Sequence, residues 1–232
     1  MIVSVHQPQY LPWLGYFDKI KRADIFVLLD NVQFKKNEWQ NRNRIKAANG
    51  LQWLTVPVMY KYPQLMNEVE INNRDKWQHR QRQAIISNYK KAPCWSLLEE
   101  FFEEIFSSKW QYISQLNIYT VKSLAGILGI KTPIYIASEL GEFPEDPDGR
   151  LIALTRHFGG DTYLAGSGGR GYMDMAKYAQ SGIKVILQEY EHPVYNQLFG
   201  DFEPFMSVVD LLFNHGQESL KILKGELCIT AD

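Results

Sequence analysis

Two groups of residues in this chain have the types and spacing for chemistry. In the first, His6 and Gln7 stand directly after the apolar run 2–5, and Asp30, Asn31 and Gln33 follow a second apolar run, 25–29. An imidazole titrates near neutrality, so His6 is the acid/base candidate. Asp30 can orient it or accept from a sugar hydroxyl. Gln7, Tyr10 and Gln33, with Trp39, Asn41, Asn43 and Arg44 downstream, offer polar and stacking contacts to a substrate. The plainer alternative is a proline-rich turn carrying a surface histidine. In the second group, Gly166, Ser167, Gly168, Gly169 and Arg170 lie between a short strand and a helix. Backbone N–H groups in such a turn can cradle an anion, and a guanidinium can add a forked contact. The order G-S-G-G-R-G is neither the dinucleotide fingerprint nor a Walker loop, and a purely structural turn is an equal reading. His215, before Gly216, can cap a helix C-terminus or serve the site. His79 and His157 read as surface residues. No metal signature is present: there is no HExxH, no paired CxxC and no histidine–carboxylate cluster at ligand spacing.

The elements that must position these groups are legible as an α/β pattern. The apolar runs 2–5 and 25–29 flank a helix expected over 14–22, a β-loop-α-β opening. In open α/β sheets, ligands meet the carboxyl ends of the strands. Asn49-Gly50 between apolar runs predicts a hairpin. Its first strand would turn Asn41 and Asn43 to one face and Arg42 and Arg44 to the other. Helical patterns then cover 74–89, 95–106 and 110–128, so a helical segment at about 74–130 is inserted in, or packed beside, the sheet. The α/β pattern resumes with a strand at 133–137 and an acidic loop at 139–149. A helix at 150–158, a strand at 162–165, a helix at 173–180 and a strand at 184–188 complete it. The expectation is a single Rossmann-like α/β domain over 1–232, with a mostly parallel sheet, a β-hairpin and the helical segment.

Composition bounds the function. The chain has 232 residues, 45% hydrophobic and 22% charged, enough for an ordinary core. A net charge of −1 gives no bulk attraction to nucleic acid or to an anionic membrane. The 13% aromatic content is high. Cys94 and Cys228 are far apart, which favours a reduced, cytoplasmic chain, although one pair could bridge. No signal peptide and no run of the roughly 20 apolar residues needed to span a bilayer is read.

Several ordered blocks resemble one family. They are His6-Gln7-Pro8-Gln9-Tyr10-Leu11-Pro12-Trp13-Leu14-Gly15-Tyr16, Asp30-Asn31-Val32-Gln33-Phe34, Trp39 to Ile45, Tyr163-Leu164-Ala165-Gly166, and Ser207 to Gly216. Together they resemble the WbqC-like family over about residues 1–216. That resemblance implies a link to bacterial surface-polysaccharide (O-antigen) gene clusters, and with it nucleotide-sugar or glycan modification. A weaker likeness is to the architecture of nucleotidylyltransferases, whose His-x-Gly-His is replaced here by Trp13-Leu14-Gly15-Tyr16. The expectation is a cytosolic transferase acting on a nucleotide-linked sugar, acyl or aminoacyl donor. His6 would be the base and the glycine-rich loop would hold the donor's anionic part. The partner would be a small, phosphate-bearing molecule rather than nucleic acid. A non-catalytic ligand-binding or scaffolding protein of a polysaccharide assembly pathway is the alternative. No cofactor or oligomeric state follows from the sequence.

Overall fold

The computed structural model describes residues 1–171 and 173–227, apart from the side chain of Arg170. In chain order the elements are β1 (Ile2–His6), α1 (Leu14–Arg22), β2 (Ile25–Leu28), β3 (Arg42–Ala47), β4 (Gly50–Thr55), β5 (Val58–Met59) and β6 (Glu70–Ile71). Then come α2 (Trp77–Tyr89), α3 (Glu99–Ser107), α4 (Ile113–Ile127), β7 (Ile134–Ile136), α5 (Pro147–His157) and β8 (Thr162–Ala165). The series closes with α6 (Met175–Gln180), β9 (Lys184–Leu187), α7 (Val208–His215) and α8 (Ser219–Leu223). Two compact units result.

The first unit comprises Met1–Gln7, Gly15–Asn31 and Ile130–Glu191. Its five strands run in the order β7-β2-β1-β8-β9, and every pairing is parallel. Strands buried on both faces read as continuous apolar runs, which is why β1 and β2 were visible in the sequence. Val3, Val5 and Val27 form the core with Leu154, Ala165 and Tyr178. The chain lays β2 and β7 on one side of β1, then β8 and β9 on the other. The topological switch therefore falls between β1 and β8. There the register stops early: β1 and β8 pair only at Ile2–Thr162 and Val3–Tyr163, whereas β1 follows β2 as far as His6–Leu28. The Ser4 hydroxyl donates to the Leu164 carbonyl (2.8 Å) just beyond the last pair, and past that point β1 and β8 part.

Local signals fix the helix ends. Asp146 accepts from the Gly149 amide (2.7 Å) with Pro147 at the first helical position, so α5 starts three residues before the expected Arg150. Here the Asp-Pro pair starts a helix, with the carboxylate as cap and the proline at the first helical position, rather than punctuating a loop. Asp174 caps α6 in the same way, through the Ala176 and Lys177 amides.

The second unit comprises Pro8–Leu14, Val32–Gly129 and His192–Asp232. It holds two small antiparallel sheets, β3-β4 and β5-β6, together with α2, α3, α4, α7 and α8. The β3-β4 turn is Ala48–Asn49, one position before the expected Asn-Gly centre. Gly50 instead opens β4 at φ 112° opposite Ala47, a backbone shape that favours glycine. The expected helical segment is present as α2, α3 and α4. Its core gathers on Phe213, which stacks with Tyr89 (4.5 Å), Trp95 (5.5 Å) and Phe102 (5.7 Å). Cys94 is a free thiol, and Cys228 lies outside the described residues.

Candidate functional site

At the carboxyl end of the first unit's sheet, α1 fixes the groups that follow β1. Tyr16 stacks on the His6 ring (4.8 Å between centroids) and donates through its hydroxyl to the Gln7 carbonyl (3.1 Å). One turn further on, Lys19 donates to the Val5 carbonyl (3.0 Å). Residues three apart share a helix face, so one stripe of α1 holds Val5, His6 and Gln7 in place. Lys19 is 4% exposed. Burial pulls its pKa down to about 7. Burial, and then the charge of Lys19, holds the His6 imidazole well below its usual value. His6 is therefore neutral at neutral pH. Its Nδ1 is buried and has no hydrogen-bond partner among the described residues.

Asp30, after β2, accepts from the Ser138 amide (3.0 Å) and hydroxyl (2.7 Å), which pins the turn following β7. No hydrogen bond among the described residues joins Asp30 to His6. The neighbouring Asn31 Oδ1 is, like His6 Nδ1, buried without a partner. Two orphaned polar atoms thus lie at the ends of adjacent strands. Each costs about 1–3 kcal/mol if left unpaired. After β8, Ser167–Gly171 forms a single 3-10 turn. The Gly169 amide donates to the Gly166 carbonyl (2.9 Å), and a Cβ on Gly169 would meet Met173 Sδ at 2.8 Å and Ala165 Cβ at 3.1 Å, so a side chain there would displace the Met173 thioether. The side chain of Arg170, and with it the guanidinium contact expected there, lies outside the described residues. After β9, Gln188 donates to the Gly15 carbonyl (2.8 Å) and to Asp18 (2.7 Å).

The remaining candidates belong to the second unit. Tyr10 is fully buried and donates to Gln81 (2.6 Å). Asn41 accepts from the Asn37 amide (3.1 Å) and donates to the Val56 carbonyl (3.0 Å). Asn43 donates to the carbonyls of Leu11 (2.6 Å) and Tyr10 (3.4 Å) and accepts from the Arg44 amide (2.8 Å). Leu11 sits at φ 45°, so Asn43 holds a left-handed turn in place. Gln33 is exposed, and its backbone bridges to Leu65. Trp39 and Arg44 are on the hairpin's outer side. His215 closes α7 with Nε2 against the Asn196 carbonyl (2.9 Å). His79 and His157 are exposed.

Sequence reasoning passed over Lys19, Tyr16 and Ser138. The available signal was a lysine three residues after Tyr16 and four before Ala23, on a helix stripe whose other residues carry no charge. A cleft of about 620 Å³ in the second unit is lined by Met59, Glu70, Asn72, Arg74, Lys109 and Gln111, which no motif singled out. Among the described residues, no cluster of three or more His, Cys, Asp or Glu could hold a metal ion. Likewise, no helix is long and apolar enough to cross a membrane.

The class is set by this sheet: an α/β protein with a five-stranded parallel core, polar groups at its switch point, and a second unit of hairpins and helices. The model of the WbqC-like protein family matches residues 7–222, and the chain belongs to that family. It is similar to the uncharacterized protein Rv1507c of Mycobacterium tuberculosis, 34% identical over 226 residues, 96% of this chain and 97% of that one. No solved structure matches.

Proposed function

We propose that the protein is a cytosolic transferase of bacterial surface-polysaccharide or nucleotide-sugar metabolism, with its active site at the switch point of the first unit. The observation that carries this is His6, an imidazole kept neutral by burial and by Lys19, with a buried, unpaired Nδ1 at the end of β1. A neutral imidazole can take the proton of an acceptor hydroxyl or amine as that group attacks the activated carbon of a nucleotide-linked sugar, acyl or aminoacyl donor. The nucleotide or other activating group then departs. The orphaned Asn31 Oδ1 can accept from the substrate, and Asp30 braces the adjacent turn through Ser138. The turn at Ser167–Gly171, with Arg170, holds the donor's anionic part.

Two substitutions test the reading. His6→Ala should cut turnover by about a hundredfold to ten-thousandfold, with circular dichroism and melting temperature near wild type. A folded variant with wild-type turnover removes His6 as base. Arg170→Ala should weaken nucleotide binding by about tenfold to a hundredfold, the value of one charge-assisted contact. Unchanged affinity by calorimetry removes the anion turn.

A second reading has one specific support. Among the described residues no carboxylate hydrogen-bonds to His6, and a ligand-binding or scaffolding protein of a polysaccharide assembly pathway would not require one. Tight binding of a donor without turnover in the presence of any acceptor would favour it.

A further inference from the structure

The second unit carries a surface that the switch-point site does not use. Over Arg42–Ile45 of β3 and Trp53–Thr55 of β4, buried and outward residues alternate. Asn43, Ile45 and Leu54 are buried, while Arg42, Arg44, Trp53 and Thr55 lie on the outer face. Trp53 is 44% exposed, and Trp39, reaching it from the preceding loop, is 36% exposed. The two indoles lie 5.9 Å apart at 31°. The Arg42 guanidinium lies 4.5 Å over the Trp53 ring, and that of Arg44 lies 5.7 Å from both indoles. Among the described residues, neither arginine has a carboxylate partner, and the Nε of each is unpaired. Lys35 and Lys36 are exposed nearby in sequence, against Glu38 alone.

The shelf continues on one side. Arg44 donates to the Phe205 carbonyl (3.4 Å), and the Phe205 amide donates to His192 Nε2 (3.1 Å). Held at both ends, Phe205 adopts φ 61° and leaves its ring 47% exposed, 5.8 Å from Trp13. A phenylalanine at positive φ is strained, and such strain gathers at ligand clamps. Three large aromatic rings, each between a third and a half exposed, thus stand around two guanidiniums that no carboxylate among the described residues compensates.

We propose that this outer hairpin face is a binding shelf for an acidic saccharide, its ring against Trp39 and Trp53 and its carboxylate on Arg42 and Arg44. The chemistry follows from the groups. An indole face is negative and pairs with positively polarised edges, which the axial C–H bonds of a pyranose supply. A guanidinium fork matches a carboxylate, and Arg44 pairs across the hairpin with Trp53 while Arg42, two residues along the same strand, also reaches its ring. Nucleic acid also combines stacking with anionic groups, but it needs a cationic track that follows the backbone over several nucleotides. The cations here are confined to one hairpin and its flanking loop, in a chain of net charge −1.

The test is an NMR titration of the full chain, reading the ¹⁵N indole signals of Trp39 and Trp53. The probes are tri-galacturonic acid, neutral maltotriose and an oligothymidylate of similar charge. The expected result is that tri-galacturonate shifts both indole signals and binds at least about tenfold more tightly than maltotriose, the scale of one charge-assisted contact. Arg42→Gln should remove that preference, and Trp53→Ala should remove binding of the acidic sugar. The Arg42 side chain makes no hydrogen bond among the described residues, so its variant remains informative even where Trp53→Ala fails to fold. Equal affinity for the neutral sugar, tighter binding of oligothymidylate, or unaltered tri-galacturonate affinity in folded Arg42→Gln would each overturn the proposal.

Discussion

At the residue scale, burial and, after it, the charge of Lys19 set the His6 imidazole well below its usual value. Lys19 reaches the Val5 carbonyl from α1 and has no carboxylate partner among the described residues. Its charge disfavours the imidazolium form of His6. Lys19→Met removes that charge at similar side-chain length, so the His6 pKa should rise toward its ordinary value. Titration of the His6 ring by NMR in both proteins measures this directly. An unmoved His6 pKa would mean that burial alone sets it. The sequence displayed His6 and left Lys19 hidden. A histidine after an apolar run announces a strand end, whereas a lysine in a short amphipathic helix looks like ordinary solvated charge. Only the packing of α1 on β1 turns that lysine inward.

At the element scale, much of the polar segment after β1 is occupied in building the second unit. Asn43 and Asn117 face Pro8–Leu14 from two different elements. Asn43 takes the Leu11 carbonyl, and Asn117 donates to the carbonyls of Pro8 (3.1 Å) and Gln40 (2.7 Å). Removing one buried amide leaves carbonyls unpaired. Asn43→Ala should therefore lower stability by about 1–3 kcal/mol, read as a lower urea midpoint with an unchanged slope. A midpoint equal to wild type would mean that the Leu11 turn holds itself. The alternation of Asn41 and Asn43 against Arg42 and Arg44 was legible from the period of a strand. Which face is buried was not legible, because asparagine and arginine are both polar and tertiary packing makes the choice. The parallel strands were legible because burial on both faces leaves uninterrupted apolar runs. The start of α5 was not, because Asp146-Pro147 reads equally as a turn until its cap hydrogen bond is seen.

At the scale of the whole molecule, the buried ionisable groups give a pH signature. The folded-state pKa of Lys19 is about 7, against about 10.4 for an unfolded lysine. Between those values the unfolded chain binds a proton that the folded chain lacks, so stability should rise as pH goes from about 7 toward 10. Burial raises Tyr10 and Tyr16 above the usual phenol value. Above about pH 10, unfolded tyrosines ionise while the folded ones stay neutral, and stability should fall again. Urea midpoints across pH 7–11 should pass through a maximum, and Lys19→Met should flatten its rising limb. A rising limb of equal slope in that variant would assign the effect to other groups.

In the proposed site His6 meets the substrate where β1 and β8 part. The most direct test is a ¹⁵N imidazole NMR titration with UDP-N-acetylglucosamine and, separately, acetyl-coenzyme A, with binding measured in parallel by calorimetry. One of these donors should bind and shift the His6 ring signals, while those of the exposed His79 and His157 stay in place. A donor that binds with the His6 signals unmoved, or no binding by either class of donor, would contradict that placement.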